Sequence, residues 1–149
     1  MPEQDTIQKA QRDAEEGKSP LTQAGEFIRE QIHHIRDGLY GARSPEQAIA
    51  IGLSEARRAG VEVPVPPAGQ GSPAARKQAK RDLAKGKTPH KTSRKRSRAA
   101  TKALRKESGR AASKRALSAH AKAAARRRGP AKLAAAAKRA AKTRKRAKR

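Results

Sequence analysis

At 149 residues, with 38 Lys and Arg against 13 acids, the chain is a polycation of net charge +25 that has one Phe, one Tyr and no Trp to bury. The lack of Cys excludes disulfides, thiolate chemistry and Cys-ligated zinc. No apolar run approaches the ~18 residues of a membrane span, and the polar opening Met1-Pro2-Glu3-Gln4-Asp5 has no secretory leader, so the expected location is cytoplasmic.

Charge divides the chain in two. Residues 1–70 hold 8 basic against 11 acidic side chains, net −3, whereas residues 71–149 hold 30 against only Asp82 and Glu107, net +28. Only the first part has the composition of a domain, and at about 60 residues it has little surface to bury.

In chain order, residues 6–16 form a polar, alternately charged segment that predicts a short helix with only Ile7 to bury, ending before Gly17. Ser19-Pro20 reads as an N-cap with Pro at the first helical position. From there Leu21, Ala24, Ile28, Ile32, Ile35 and Leu39 step by three or four residues, one apolar stripe of a helix that ends near Asp37 ahead of Gly38 and Gly41. Ser44-Pro45-Glu46-Gln47 restarts the chain with a cap, a Pro and a capping-box Gln. Ala48, Ile49, Ile51, Leu53 and Ala56 supply the buried side of this second helix, Arg57 and Arg58 a solvated C-terminal face, and Gly60 its stop. The loop between the two helices is short, which predicts a helical hairpin. It is longer than the three or four residues of a DNA-reading helix-turn-helix, and the second helix offers few base-reading groups. Residues 61–71, with three prolines and then two glycines, read as a spacer.

Ala10 to Pro20 aligns without gaps to Ala79 to Pro89, with six of eleven positions identical. Both copies read as helix, glycine stop, hydroxyl cap and proline restart. Convergent helix punctuation in a low-complexity chain is favoured over an ancestral duplication as the account of this. Gly-Lys-Ser and Gly-Lys-Thr within them do not make a P-loop, because Arg12 and Arg81 stand where its first Gly is required. Glu30 and His33 have the Glu-x-x-His spacing of di-iron bundles, but a second such pair is missing, and the adjacent His33 and His34 point about 100° apart on a helix. The expectation is therefore a surface histidine pair, no metal, no cofactor and no catalysis.

The segment after the spacer has Leu83, Leu104, Leu117 and Leu133 as its only large apolar residues, too few for a core, so it is expected to be largely disordered when free. Ala and Arg favour helix, so stretches 73–85, 99–106, 111–128 and 130–149 are expected to become helical once phosphates neutralise them, with Gly86, Gly109 and Gly129 as joints. Each Lys or Arg on a phosphate releases counterions without any base contact. The absence of aromatics from this segment argues against single-strand stacking and for double-helical backbone. The candidate nucleic-acid-binding residues are Lys87, Lys91, Arg94, Lys95, Arg96, Arg98, Lys102, Arg105, Lys106, Lys114, Arg115, Arg126, Arg127, Arg128, Lys138, Arg139, Lys142, Arg144, Lys145, Arg146, Lys148 and Arg149.

Thr88-Pro89-His90-Lys91 resembles the Ser/Thr-Pro-basic turns that place cations in a minor groove. Arg126-Arg127-Arg128-Gly129-Pro130 resembles an A·T-hook but lacks the Arg between Gly and Pro. The Ala/Lys/Arg tail over roughly residues 72–149 resembles linker-histone tails and the basic tails of bacterial histone-like nucleoid proteins, which implies DNA compaction. The head is similar to a small uncharacterised bacterial family through Gly17-Lys18-Ser19-Pro20, Gln23-Ala24-Gly25-Glu26-Phe27, His33-His34-Ile35-Arg36 and Gly41-Ala42-Arg43-Ser44.

The expected architecture is all-α: a small helical hairpin head over 1–62, a Pro/Gly linker over 63–72 and a disordered polycationic tail over 73–149. The expected function is sequence-tolerant binding of duplex DNA in the nucleoid. An RNA or ribosome-associated basic protein, and an adaptor whose head binds a protein partner, are the alternatives. No membrane partner is expected, and sequence leaves the oligomeric state open.

Overall fold

The computed structural model describes residues 2–88 and 93–147, and among these every regular element is helical. They are α1 (Gln4–Glu15), α2 (Pro20–Arg36), α3 (Pro45–Arg58), α4 (Pro73–Lys87), α5 (Arg94–Leu104), a 3-10 turn (Gly109–Ala112) and α6 (Lys114–Ala147). Two compact units result, Met1–Ser113 and Lys114–Arg149.

One device starts three helices. Ser19, Ser44 and Ser72 each accept a backbone N–H through Oγ, from Thr22, Gln47 and Ala75 respectively, and each is followed by Pro. Such a cap contributes about 1 kcal/mol. The Gln47 amide oxygen reaches back to the N–H of Arg43, one residue before the cap. Stops are equally local. Gly38 (φ +77°) and Gly60 (φ +98°) take the left-handed conformation that closes α2 and α3, with Leu39 N–H donating to His34 O and Val61 N–H to Ala56 O.

The helices α2 and α3 form the predicted hairpin. Gln31 meets Glu55, Gly52 lies against Ile28, and Ile35 shares a cluster with Ala48, so the two run in opposite directions. Gly52 is required there, since a Cβ would stand 2.7 Å from Ile28 Cα. The buried side of the hairpin differs from the sequence stripe. Leu21 and Leu39 are 59% and 54% exposed, while Ala24, Phe27, Gln31 and Ile35 are buried. One cluster gathers Ala10, Ala24, Phe27, Ala56 and Val63, with Ile7, Leu53 and Val61 against it. Alanine dominates because the helices approach closely, and side chains that small leave no room for larger ones.

Arg57 is buried rather than solvated. It donates from Nε to Val63 O and from a terminal nitrogen to Pro64 O, both at 3.1 Å, which folds the start of the Pro-rich stretch back onto α3 and buries Val63.

The expectation of a disordered segment from residue 73 onward is corrected. Helix α4 packs on α3, and the 3-10 turn closes over α2 and α3. Ala111 and Ala112 enter the second core cluster beside Ile35, Ala42 and Ala48, and Arg36 Nε donates to Ala112 O at 2.8 Å. The hairpin loop is tied to the same stretch by Gly41 N–H to Leu104 O and Ala42 N–H to Ser108 O. Alanines and backbone groups do the packing, and the compact unit extends to Ser113.

Gly86 is not a joint either. It lies inside α4, where a Cβ would stand 2.1 Å from Arg57 O, so its missing side chain lets α4 touch α3. The repeat therefore diverges in structure, because Gly17 ends α1 and Gly86 packs two helices together. Pro89, the last residue of the second copy, lies outside the described residues.

In the second unit, α6 is helical on both sides of Gly129, whose φ of +75° and ψ of 162° break the helix before Pro130. Its composition explains the order. Ala, Lys, Arg and Leu are the strongest helix formers, and a run this long spreads the cost of nucleation over many residues.

Candidate nucleic-acid interface

The described candidate residues are all exposed. Lys87 closes α4, and Arg94, Lys95, Arg96, Arg98 and Lys102 lie on α5, followed by Arg105 and Lys106. Lys114, Arg115, Arg126, Arg127, Arg128, Lys138, Arg139, Lys142, Arg144, Lys145 and Arg146 lie on α6. Lys91, Lys148 and Arg149 lie outside the described residues, as does most of the Thr88–Lys91 turn motif.

Helical phase gathers these charges. At about 100° per residue, Arg94, Lys95, Arg98 and Lys102 share one sector of α5, and no residue of α5 is buried. After the break in α6, Lys132, Lys138, Arg139, Lys142, Lys145 and Arg146 fall within about 140° of one another, while Arg144 lies on the other side with Leu133, Ala137 and Ala140. Lys122 and Lys132 belong with these cations although the sequence pattern did not single them out. Helix α6 carries 13 Lys and Arg and no acid in 34 residues, or one charge per roughly 4 Å of axis at a rise of about 1.5 Å per residue. The phosphates of one duplex strand recur about every 3.4 Å. No described helix is long and apolar enough to cross a membrane.

The two acids of the basic half are used inside the first unit. Asp82 is buried, and its carboxylate accepts from Ser54 Oγ at 2.7 Å and from Gln78 Nε2 at 3.0 Å, with Arg58 Nε at 3.8 Å. Glu107 stands 3.6 Å from Arg43. Asp82 therefore fastens α4 to α3, and Glu107 adds a weak exposed pair to the hairpin loop, neither of which the charge count alone reveals.

A second polar cluster, at the junction of α1, α2 and α3, has no counterpart in the sequence motifs. It joins Glu3, Glu30, Gln31, His34, Tyr40 and Glu55. Burial pushes the Glu55 carboxyl above its ordinary range, and Glu30 nearby adds to the shift. Burial, with the charges of Glu55 and Glu30, pushes the Tyr40 phenol up to about 12. His33, which the Glu-x-x-His spacing singled out, points to solvent, whereas His34, four residues from Glu30, turns inward. The i,i+4 relation of Glu30 and His34 was the available signal; Glu3, far away in sequence, gave none.

A model of a family of unknown function (DUF6496) matches residues 22–66. The matched stretch takes in most of α2, all of α3 and the return over Val61–Pro64, so the hairpin is the part of the chain that resembles this family. No curated protein and no solved structure matches the chain.

Proposed function

We propose that the chain binds double-helical DNA through its phosphates, with little regard to base sequence, as a nucleoid-associated protein. One observation carries the reading: α6 presents 13 exposed cations without a single acid, at a spacing close to that of the phosphates on one strand. Helix α5 adds a second cationic face. Neutralisation of phosphates supplies affinity and salt dependence, and it reads no bases. The hairpin unit holds α4 and the 3-10 turn in place and has its own acids largely engaged, so its part in this reading is to carry the cationic helices.

The test compares the full chain with a chain ending at Ser113 on duplex DNA across salt. If about ten cations sit on phosphates at once, log K falls against log salt with a slope near −9, and removal of residues 114–149 makes the slope distinctly shallower. A full-chain slope shallower than about −3, or a strong preference among duplexes of equal length, overturns the reading. Equal affinity for duplex RNA moves it from DNA to A-form backbone.

A further inference from the structure

Four side chains in the first unit form a hydrogen-bonded relay whose far end faces two carboxylates. Gln31, 2% exposed, donates from Nε2 to Glu55 Oε2 at 2.6 Å, and its Oε1 accepts the Tyr40 hydroxyl proton. With that proton committed, Tyr40 Oη accepts from His34 Nδ1, 3.2 Å away. In the neutral ring Nδ1 therefore carries the hydrogen and Nε2 the lone pair. Nε2 faces Glu3 Oε1 at 3.3 Å and Glu30 Oε1 at 3.9 Å. Nε2 and Glu3 Oε1 thus meet as two acceptors with no proton between them, and a positive group between them would satisfy both.

A second proton on His34 would answer that pair. It leaves one oxygen of Glu30 unanswered: this side chain is 4% exposed, its Oε1 accepts the Glu3 N–H at 2.9 Å, and its Oε2 is buried without a hydrogen-bond partner among the described residues. An unpaired buried carboxylate oxygen is costly. A divalent ion can be shared by Nε2 and the two carboxylates, whose charges it balances.

We infer that Glu3, Glu30 and His34 form a binding site for a divalent transition-metal ion, with Zn2+ as its probe. One ligand atom from each lies within 4.8 Å of the other two. Donors bound to one zinc at about 2.0–2.2 Å stand roughly 3–4 Å apart, so only a small closure is needed. Glu3, whose side chain is 65% exposed, is free to make it. The hydrogen bond from Nδ1 to Tyr40 is the outer contact that fixes a ligating imidazole. The ion would fasten the start of α1, where Glu3 caps the helix without a side-chain hydrogen bond, to the middle of α2.

The test uses the full chain stripped of metal with a chelator. Zinc chloride is titrated by calorimetry and thermal unfolding is followed with and without it; cobalt supplies a visible spectrum of the coordination shell. Saturable binding of one equivalent and a raised Tm are expected. Glu3→Gln, at an exposed position, and Glu30→Gln each weaken binding by about ten-fold or more, and Tyr40→Phe by about ten-fold. His34→Gln removes it, and His33→Gln leaves it unchanged. Lack of saturable zinc binding overturns the site. So does equal binding by the wild type and Glu3→Gln, which places the ion on other histidines. Nitrogen-15 spectra that show both ring nitrogens of His34 protonated at pH 7, unaltered by zinc, overturn it in favour of a bound proton.

Discussion

Asp82 accepts the hydroxyl proton of Ser54 at 2.7 Å, and the residue is 1% exposed. An acid in a stretch of 30 basic residues is thus held away from its neighbours and given to α3. Asp82→Ala leaves the Ser54 hydroxyl and the Gln78 amide without their acceptor. The expected loss is about 1–3 kcal/mol by urea denaturation, with faster amide exchange along α4 and none of that effect along α6.

Two glycines in helices should respond in opposite senses. Gly86→Ala drives a methyl group to 2.1 Å from Arg57 O, a backbone atom that cannot step aside, so α4 must lift from α3. Destabilisation of roughly 1–3 kcal/mol is expected. Gly25 in α2 faces open space, with nothing within 4 Å of the position a Cβ would take. Gly25→Ala should therefore stabilise by about 0.5–1 kcal/mol through helix propensity. Thermal unfolding of the two variants checks both signs.

The single Tyr makes its own titration visible. Its folded pKa, up to about 12, exceeds the ordinary 10.0, with burial the first cause and the charges of Glu55 and Glu30 the next. A raised pKa means that the contribution to stability is complete below pH 10 and is lost as pH climbs through 12. The ultraviolet absorbance of the phenolate should therefore rise late, and the wild type should lose stability over that window relative to Tyr40→Phe. A phenol that titrates near 10 would show that the ring is not held in the cluster.

Alanines of the basic half are not equivalent. Ala112 is fully buried beside Ile35, whereas Ala119 on α6 is exposed. Ala112→Asp should cost about 3 kcal/mol or more, because it places an unpaired charge in the core. Ala119→Asp should stay within about 0.5 kcal/mol. Denaturation midpoints of the two variants at equal net charge make the comparison.

Helix starts and stops were legible because their chemistry is local. A Ser followed by Pro, or a Gly after a last basic turn, needs no distant partner, and Ser19, Ser44, Gly38 and Gly60 behave as their sequence context predicts. The hairpin was legible for the same reason. What escaped depends on contacts between distant residues. Ala111 and Ala112 look like any other alanine of a low-complexity run until the loop at Gly41 closes on Glu107, where a Cβ would stand 2.0 Å from its carbonyl oxygen. Leu21 and Leu39 misled because a stripe of period three or four marks a face without saying how far the partner reaches. Of the candidate interface, the cations were legible one by one; the helix propensity of Ala, Lys and Arg was legible too, but like-charge repulsion opposes it, and so the helical phase of the cations was missed. The acid and histidine cluster was hidden because Glu3 and Glu55 come from different parts of the chain than His34.

The use of Asp82 as a fastener sets a limit on how this sequence can drift. Exposed positions in the basic half can exchange Lys for Arg, or gain another cation, with little consequence for shape, so on the proposed reading a stronger grip on a polyanion has many routes open. Acid-to-base replacement at Asp82 is not one of them, since it would raise the charge while prising α4 from the hairpin. The most basic possible version of this chain is therefore not its best one, and Asp82 should change more slowly than the exposed charges around it.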